Sequence, residues 1–130
     1  MLHLMQRSMK RSLCALVLLA AAVAAGPARA VDPLYEPELE HLSQVLGSLY
    51  FLNPLCRPGG KDWRVEMSEL IGLDAPDDDR RQRLAGAFNA GYQDYARLYR
   101  ECTPSARAAL VKLLGTAEQT ARDIHTQYAQ

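Results

Sequence analysis

Apolar residues in this chain recur every three or four positions and nowhere alternate over a strand's length, so helices are the expected regular element. After Pro33 and Pro37, Leu39, Leu42, Leu46 and Leu49 draw one apolar stripe. Asn53-Pro54 ends it, because the residue before a proline is pushed out of the helical region. Arg57-Pro58-Gly59-Gly60 reads as a loop. Asp62 then caps a short helix with Trp63, Met67, Leu70 and Ile71 on one side, which stops by Ala75-Pro76. Asp77-Asp78-Asp79 opens the third and longest helix, where carboxylates oppose the positive end of the helix dipole. Its stripe runs through Leu84, Ala87, Phe88, Gly91, Tyr95, Leu98 and Cys102. Thr103-Pro104 supplies an N-cap and a proline at the first helical position. The last helix carries Leu110, Leu113, Ala117, Ala121, Ile124 and Tyr128. The expectation is an all-α fold, a small four-helix bundle whose short connections favour up-down-up-down order.

The first thirty residues obey a different logic. Arg7, Lys10 and Arg11 precede an unbroken run of apolar and small residues from Leu13 to Ala25, then Gly26-Pro27 and the small-x-small triplet Ala28-Arg29-Ala30. That is the pattern of a secretory signal peptide, cleaved between Ala30 and Val31. The run falls short of the roughly 20 apolar residues a spanning helix needs. Cys14 lies near the start of the run rather than after it, which argues against a lipoprotein. The chain therefore divides into a leader, 1–30, and one helical domain, 31–130, expected in the periplasm with no integral membrane segment.

Cleavage changes the chemistry. Four of the fifteen basic residues leave with the leader, so eleven face fifteen acidic ones and the domain carries a charge of −4. A mildly acidic domain has no electrostatic footprint for nucleic acid and no Lys-rich face for an anionic membrane. Two cysteines remain, Cys56 and Cys102. In an oxidising compartment they are expected to form one disulfide; a reactive thiol pair and an intermolecular bridge are the alternatives. Up-down order places the ends of the first and third helices together, where these two cysteines stand.

Few residues carry the signs of catalysis. His41 and His125 stand singly, outside any metal-ligand spacing, and no GxSxG or phosphate-cradling loop occurs. Glu66 and Glu69 are the remaining acid–base candidates for a small hydrolase or isomerase. The block Asp77–Arg83 reads as a solvated face with i,i+4 pairs Asp77–Arg81 and Asp79–Arg83. Its arginines Arg80, Arg81 and Arg83 are also candidates for an anion or a partner protein. Phe88, Tyr92, Tyr95 and Tyr99 form an aromatic ladder that reads as a core edge or as the wall of a ligand pocket, with Asn89 beside it. Trp63 reads as a core anchor or a binding platform, with Arg64 next to it expected to pair with a nearby acid. No metal or cofactor site is expected.

The residues Leu55-Cys56, Trp63-Arg64, Met67, Ala75-Pro76, Arg80-Arg81-Gln82-Arg83-Leu84, Ala87-Phe88-Asn89-Ala90-Gly91-Tyr92, Tyr99, Cys102-Thr103 and Asp123-Ile124 span most of the domain. In them the chain resembles a family of small exported alphaproteobacterial proteins known only as a domain of unknown function. This chain has Asp74 and Gln93 where that pattern has Glu and often Arg. The resemblance implies an exported helical domain and no particular activity. The leading expectation is a non-enzymatic domain contacting a periplasmic or envelope protein. A small-ligand carrier using the aromatic face is the second, and a periplasmic chaperone the third.

Overall fold

The computed structural model describes residues 30–129, which form four helices and no strand. The expected leader before Ala30 lies outside the described residues. Helix α1 spans Glu36–Cys56 and α2 Trp63–Asp74. Helix α3 spans Asp78–Ala96 and α4 Pro104–Tyr128.

The caps set most of these limits. Asp62 accepts hydrogen bonds from the backbone N–H groups of Arg64 (2.9 Å) and Val65 (3.4 Å), satisfying two donors that the first turn leaves open. Asp77 does the same for Arg80 (2.9 Å), and Thr103 for Ala106 (3.1 Å). Helix α2 ends at Ala75, which takes a left-handed conformation (φ 47°) before Pro76.

Two boundaries differ from the sequence expectation. Helix α1 runs past Asn53-Pro54 to Cys56, because a proline in the last turn forfeits one donor and leaves the carbonyls of that turn usable. The Asn53 carbonyl still accepts from Arg57 N–H. Helix α3 is not the longest: it stops at Ala96, and α4, with 25 residues, exceeds it. Leu98 therefore lies in the turn after α3 and is 70% exposed instead of extending the apolar stripe. Ala121 is exposed as well.

Helix α1 is the centre of the domain. Leu39, Leu42, Val45, Leu46, Leu49 and Leu52 are all buried, and Ser43, Gly47 and Ser48 between them are buried too. Each aliphatic side chain so buried contributes about 1.5–3 kcal/mol. A helix buried nearly all round must be covered on several sides, and α1 packs against α3 most extensively, then α4, then α2. The other three helices make few contacts among themselves. Met67 covers α1 from α2, Leu84 and Phe88 from α3, and Ala106, Leu110 and Ala117 from α4.

Pairs along the α1–α3 seam advance together, from Glu36 with Arg80 through Tyr50 with Phe88 to Cys56 with Cys102, so the two helices run the same way. The seam is unusually tight at two glycines. A Cβ on Gly91 would lie 2.8 Å from the Gln44 carbonyl carbon, and one on Gly47 2.7 Å from that of Phe88. Only glycine permits backbone to meet backbone this closely. Ser48 Oγ shares its proton between the carbonyls of Gln44 (3.0 Å) and Gly91 (3.1 Å). The Cys56–Cys102 disulfide, with Cα atoms 5.1 Å apart, closes the far end of this seam.

Candidate functional site

The arginine block at the start of α3 is an internal clamp. Arg80 is buried, and its Nε donates to Glu36 Oε2 (2.7 Å) while Nη2 donates to Asp74 Oδ2 (2.7 Å). Tyr35 OH donates to the other oxygen of Asp74 (2.7 Å). One guanidinium thus joins the first turns of α1 and α3 to the last turn of α2. Burial by itself lowers the Arg80 pKa, but the hydrogen bond to Glu36 and the field of Asp74 outweigh it and leave the group more basic than an ordinary arginine. The hydrogen bond to Asp74 raises the Tyr35 phenol above its ordinary value.

Arg83 lies among four carboxylates: Asp32 (2.6 Å), Glu40 (3.1 Å), Glu36 (3.4 Å) and Asp79. The hydrogen bond to Asp32 leads in raising its pKa. The expected Asp79–Arg83 pair is present, whereas the expected Asp77–Arg81 pair is not. Asp77 is occupied in capping the helix, so Arg81 turns to Asp78 (3.7 Å) and to the Pro76 carbonyl (3.2 Å). Of the three, only Arg81 is an exposed residue. The block is therefore divided: Asp77, Asp78, Asp79, Arg81 and Gln82 are exposed as expected, whereas Arg80 is buried and Arg83 half-buried, both already satisfied by the protein's own acids.

The aromatic ladder divides. Phe88 and Tyr92 turn to one flank of α1, where Tyr50 meets both rings at 5.7 Å and Phe51 meets Tyr92 edge-on at 5.4 Å. Tyr95 and Tyr99 stack on each other at 6.4 Å and line a separate groove with His41 and Lys112 from α1 and α4. Tyr99 OH meets Ser105 Oγ at 2.7 Å. The four residues share one stripe on a helical wheel, but α3 contacts α1 at Gly91, in the middle of that stripe. Phe88 and Tyr92 fall on one flank of that contact, and Tyr95, with Tyr99 just past the end of α3, on the other.

Phe88 and Tyr92 wall a cleft of about 550 Å³ between α2 and α3. Met67 and Ile71 face them from α2, and Tyr50 comes from α1. Arg64 and Ser68, one turn apart on α2, and Asn89 and Gln93, one turn apart on α3, add polar groups. The volume lies in the range of ordinary small-molecule sites, which are mostly apolar with a few placed polar groups. Of the residues singled out from sequence, the structure brings Arg64, Phe88, Asn89 and Tyr92 together here. Tyr50, Ser68 and Gln93 were missed. Tyr50 directly follows the Leu49 position of the α1 stripe, which marks it as bordering the buried face but not as lying on the flank that meets α3.

Trp63 sits elsewhere, packed against the core beside the Gly59-Gly60 loop, with Lys61 Nζ 5.6 Å from its ring centroid. Its indole N–H is buried and has no hydrogen-bond partner among the described residues. Among those residues no cluster of three or more His, Cys, Asp or Glu is placed to hold a metal, and no helix is long and apolar enough to cross a membrane.

Fold and cleft together define a small disulfide-stapled all-α domain. The family model described as "Protein of unknown function (DUF2385)" matches residues 34–128, and the chain belongs to that family. No curated protein and no solved structure matches it significantly.

Proposed function

We propose that this domain works outside the cytoplasm as a non-catalytic binding protein that holds a small ligand between α2 and α3. The observation that carries this reading is the cleft itself, with Phe88, Tyr92 and Tyr50 on its wall and polar groups from both helices converging on it. Its walls offer rings, amides, the hydroxyls of Ser68, Tyr50 and Tyr92, and one guanidinium, a set suited to holding and orienting a molecule. The leader pattern before Val31 supports the address.

The test is native mass spectrometry of the disulfide-intact chain, purified from a periplasmic extract and incubated with a solvent extract of cell envelopes. A polypeptide mass starting at Val31 and a discrete adduct, lost in a folded Tyr92→Ala variant, are the expected results. An adduct that persists in Tyr92→Ala, or none at all, counts against the cleft as a binding site. A mass that retains the leader counts against export.

A second reading, contact with a periplasmic or envelope protein, draws on Leu73 and Leu98, large apolar side chains that are 87% and 70% exposed. Photo-crosslinkers placed at those two positions in intact cells should trap one reproducible partner if that reading holds. Failure at both positions sinks it.

A further inference from the structure

We infer that the α2–α3 cleft takes an organic anion with a flat apolar body, and that Arg64 anchors its charge. This rests on the reading of the cleft as a ligand site and adds the class of ligand.

The argument begins with charge. In a domain with more acids than bases, the only charged side chain that the described residues place on the walls of the cleft is that of Arg64. Among the described residues no carboxylate lies within ion-pair distance of the guanidinium of this exposed arginine, contrary to the sequence expectation; Arg57, Arg100 and Arg107 are likewise without such a pair, but of these arginines Arg64 alone borders the cleft. The acids nearest to it in sequence are engaged elsewhere, Asp62 in capping α2 and Glu66 with Lys61 Nζ (3.2 Å). A cation bordering an apolar cleft, with no acid to neutralise it, favours an anion over a neutral or cationic guest.

The neighbouring groups narrow the choice further. Ser68 lies one turn along from Arg64, and Asn89 and Gln93 offer amide N–H donors from the other wall. A planar oxyanion such as a carboxylate or sulfonate can use a guanidinium fork together with such donors. Phe88, Tyr92 and Tyr50 then present ring surface for the rest of the molecule, which a flat aromatic or conjugated body covers best.

Two matched fluorescent probes separate charge from shape: 1-anilinonaphthalene-8-sulfonate and its neutral counterpart N-phenyl-1-naphthylamine. Both are titrated into the disulfide-intact chain and into Arg64→Gln, Arg64→Lys, Tyr92→Ala and Arg107→Gln, each first shown to be folded by circular dichroism. The unmodified chain should bind the sulfonate about tenfold more tightly than the neutral probe, the scale expected of one charge-assisted contact. Arg64→Gln should remove that preference and leave the neutral probe within about twofold, while Arg64→Lys keeps part of it and Arg107→Gln, on the exposed side of α4, keeps all of it. If Arg64→Gln weakens both probes alike, or neither, the anion assignment is overturned. If Tyr92→Ala weakens neither probe, the cleft is not the site, and the binding function fails with it.

Discussion

Replacing Gly91 with alanine adds one methyl group where α3 presses on α1. That carbon would sit 2.8 Å from the Gln44 carbonyl carbon and 2.9 Å from Ser48 Oγ, with the carbonyl oxygen nearer still. Non-bonded carbons prefer about 3.5–4.0 Å, so the helices must part by roughly an ångström at the tightest point of the core. Overpacking of this kind costs about 1–3 kcal/mol, and losing the shared Ser48 hydrogen bond to the Gly91 carbonyl adds about 1 kcal/mol. Against this, alanine is favoured over glycine inside a helix by about 1 kcal/mol. The balance is a destabilisation of about 1–3 kcal/mol, or roughly 5–20 °C in Tm for a domain of this size.

Gly86, five residues earlier on the same helix, meets nothing within 4 Å of an added Cβ, so Gly86→Ala keeps only the propensity gain and should stabilise by about 0.5–1 kcal/mol. Urea unfolding followed by circular dichroism, with the disulfide intact, reads both variants against the parent. Gly91→Ala as stable as Gly86→Ala would show that the backbone seam is not where the structure places it.

Three further outcomes follow from the clamp and the staple. Arg80→Ala leaves Glu36 and Asp74 buried without their partner and should cost about 3–5 kcal/mol in the same assay, whereas Arg122→Ala, whose partner Glu118 is exposed, should change stability by less than about 1 kcal/mol. Tyr35 has a raised folded-state pKa, so its contribution is complete below about pH 10 and is lost as pH rises through the folded value. Tyr35→Phe should therefore be less stable than the parent at neutral pH, with the gap closing as pH rises through the raised folded value; a constant gap would refute the Asp74 bond as its source. Replacing both Cys56 and Cys102 with alanine, a separation of 46 residues, should lower the urea midpoint by the equivalent of about 4 kcal/mol on the chain-entropy model.

What the sequence disclosed was whatever chemistry is local. Asp62, Asp77 and Thr103 cap helices through bonds to residues two or three positions on, so their identities alone place the helix starts. Leu39, Leu42, Leu46 and Leu49 declare a buried stripe for the same reason. The disulfide was legible because only two cysteines follow the leader. Arg80 was not legible: its partner Glu36 lies 44 residues away, while Asp77 and Asp79 nearby suggested ordinary surface pairs. The division of the aromatic ladder was hidden too, since a helical wheel shows which residues share a stripe but not where another helix crosses it. The cleft combines both problems, because Arg64 and Asn89 are near neighbours only once α2 and α3 are both laid on α1.

The cleft is a consequence of how this small domain is held together. With α1 nearly enclosed and the outer helices in little contact with one another, α2 and α3 are kept in place mainly by what each presents to α1 and by the Arg80–Asp74 bond at one end. Between those attachments nothing draws the two helices together, and side chains such as Ser68 and Ala85 are too short to fill the gap. Filling it with larger apolar residues would be the cheaper way to stabilise a domain of this size, which has few core residues to spare. The chain instead ties α2 to α3 at one end through the Arg80–Asp74 bond and leaves the rest of the gap open, bordered by Arg64. An unfilled aromatic wall between two helices joined to each other at one end fits a cleft whose remaining contacts come from a ligand.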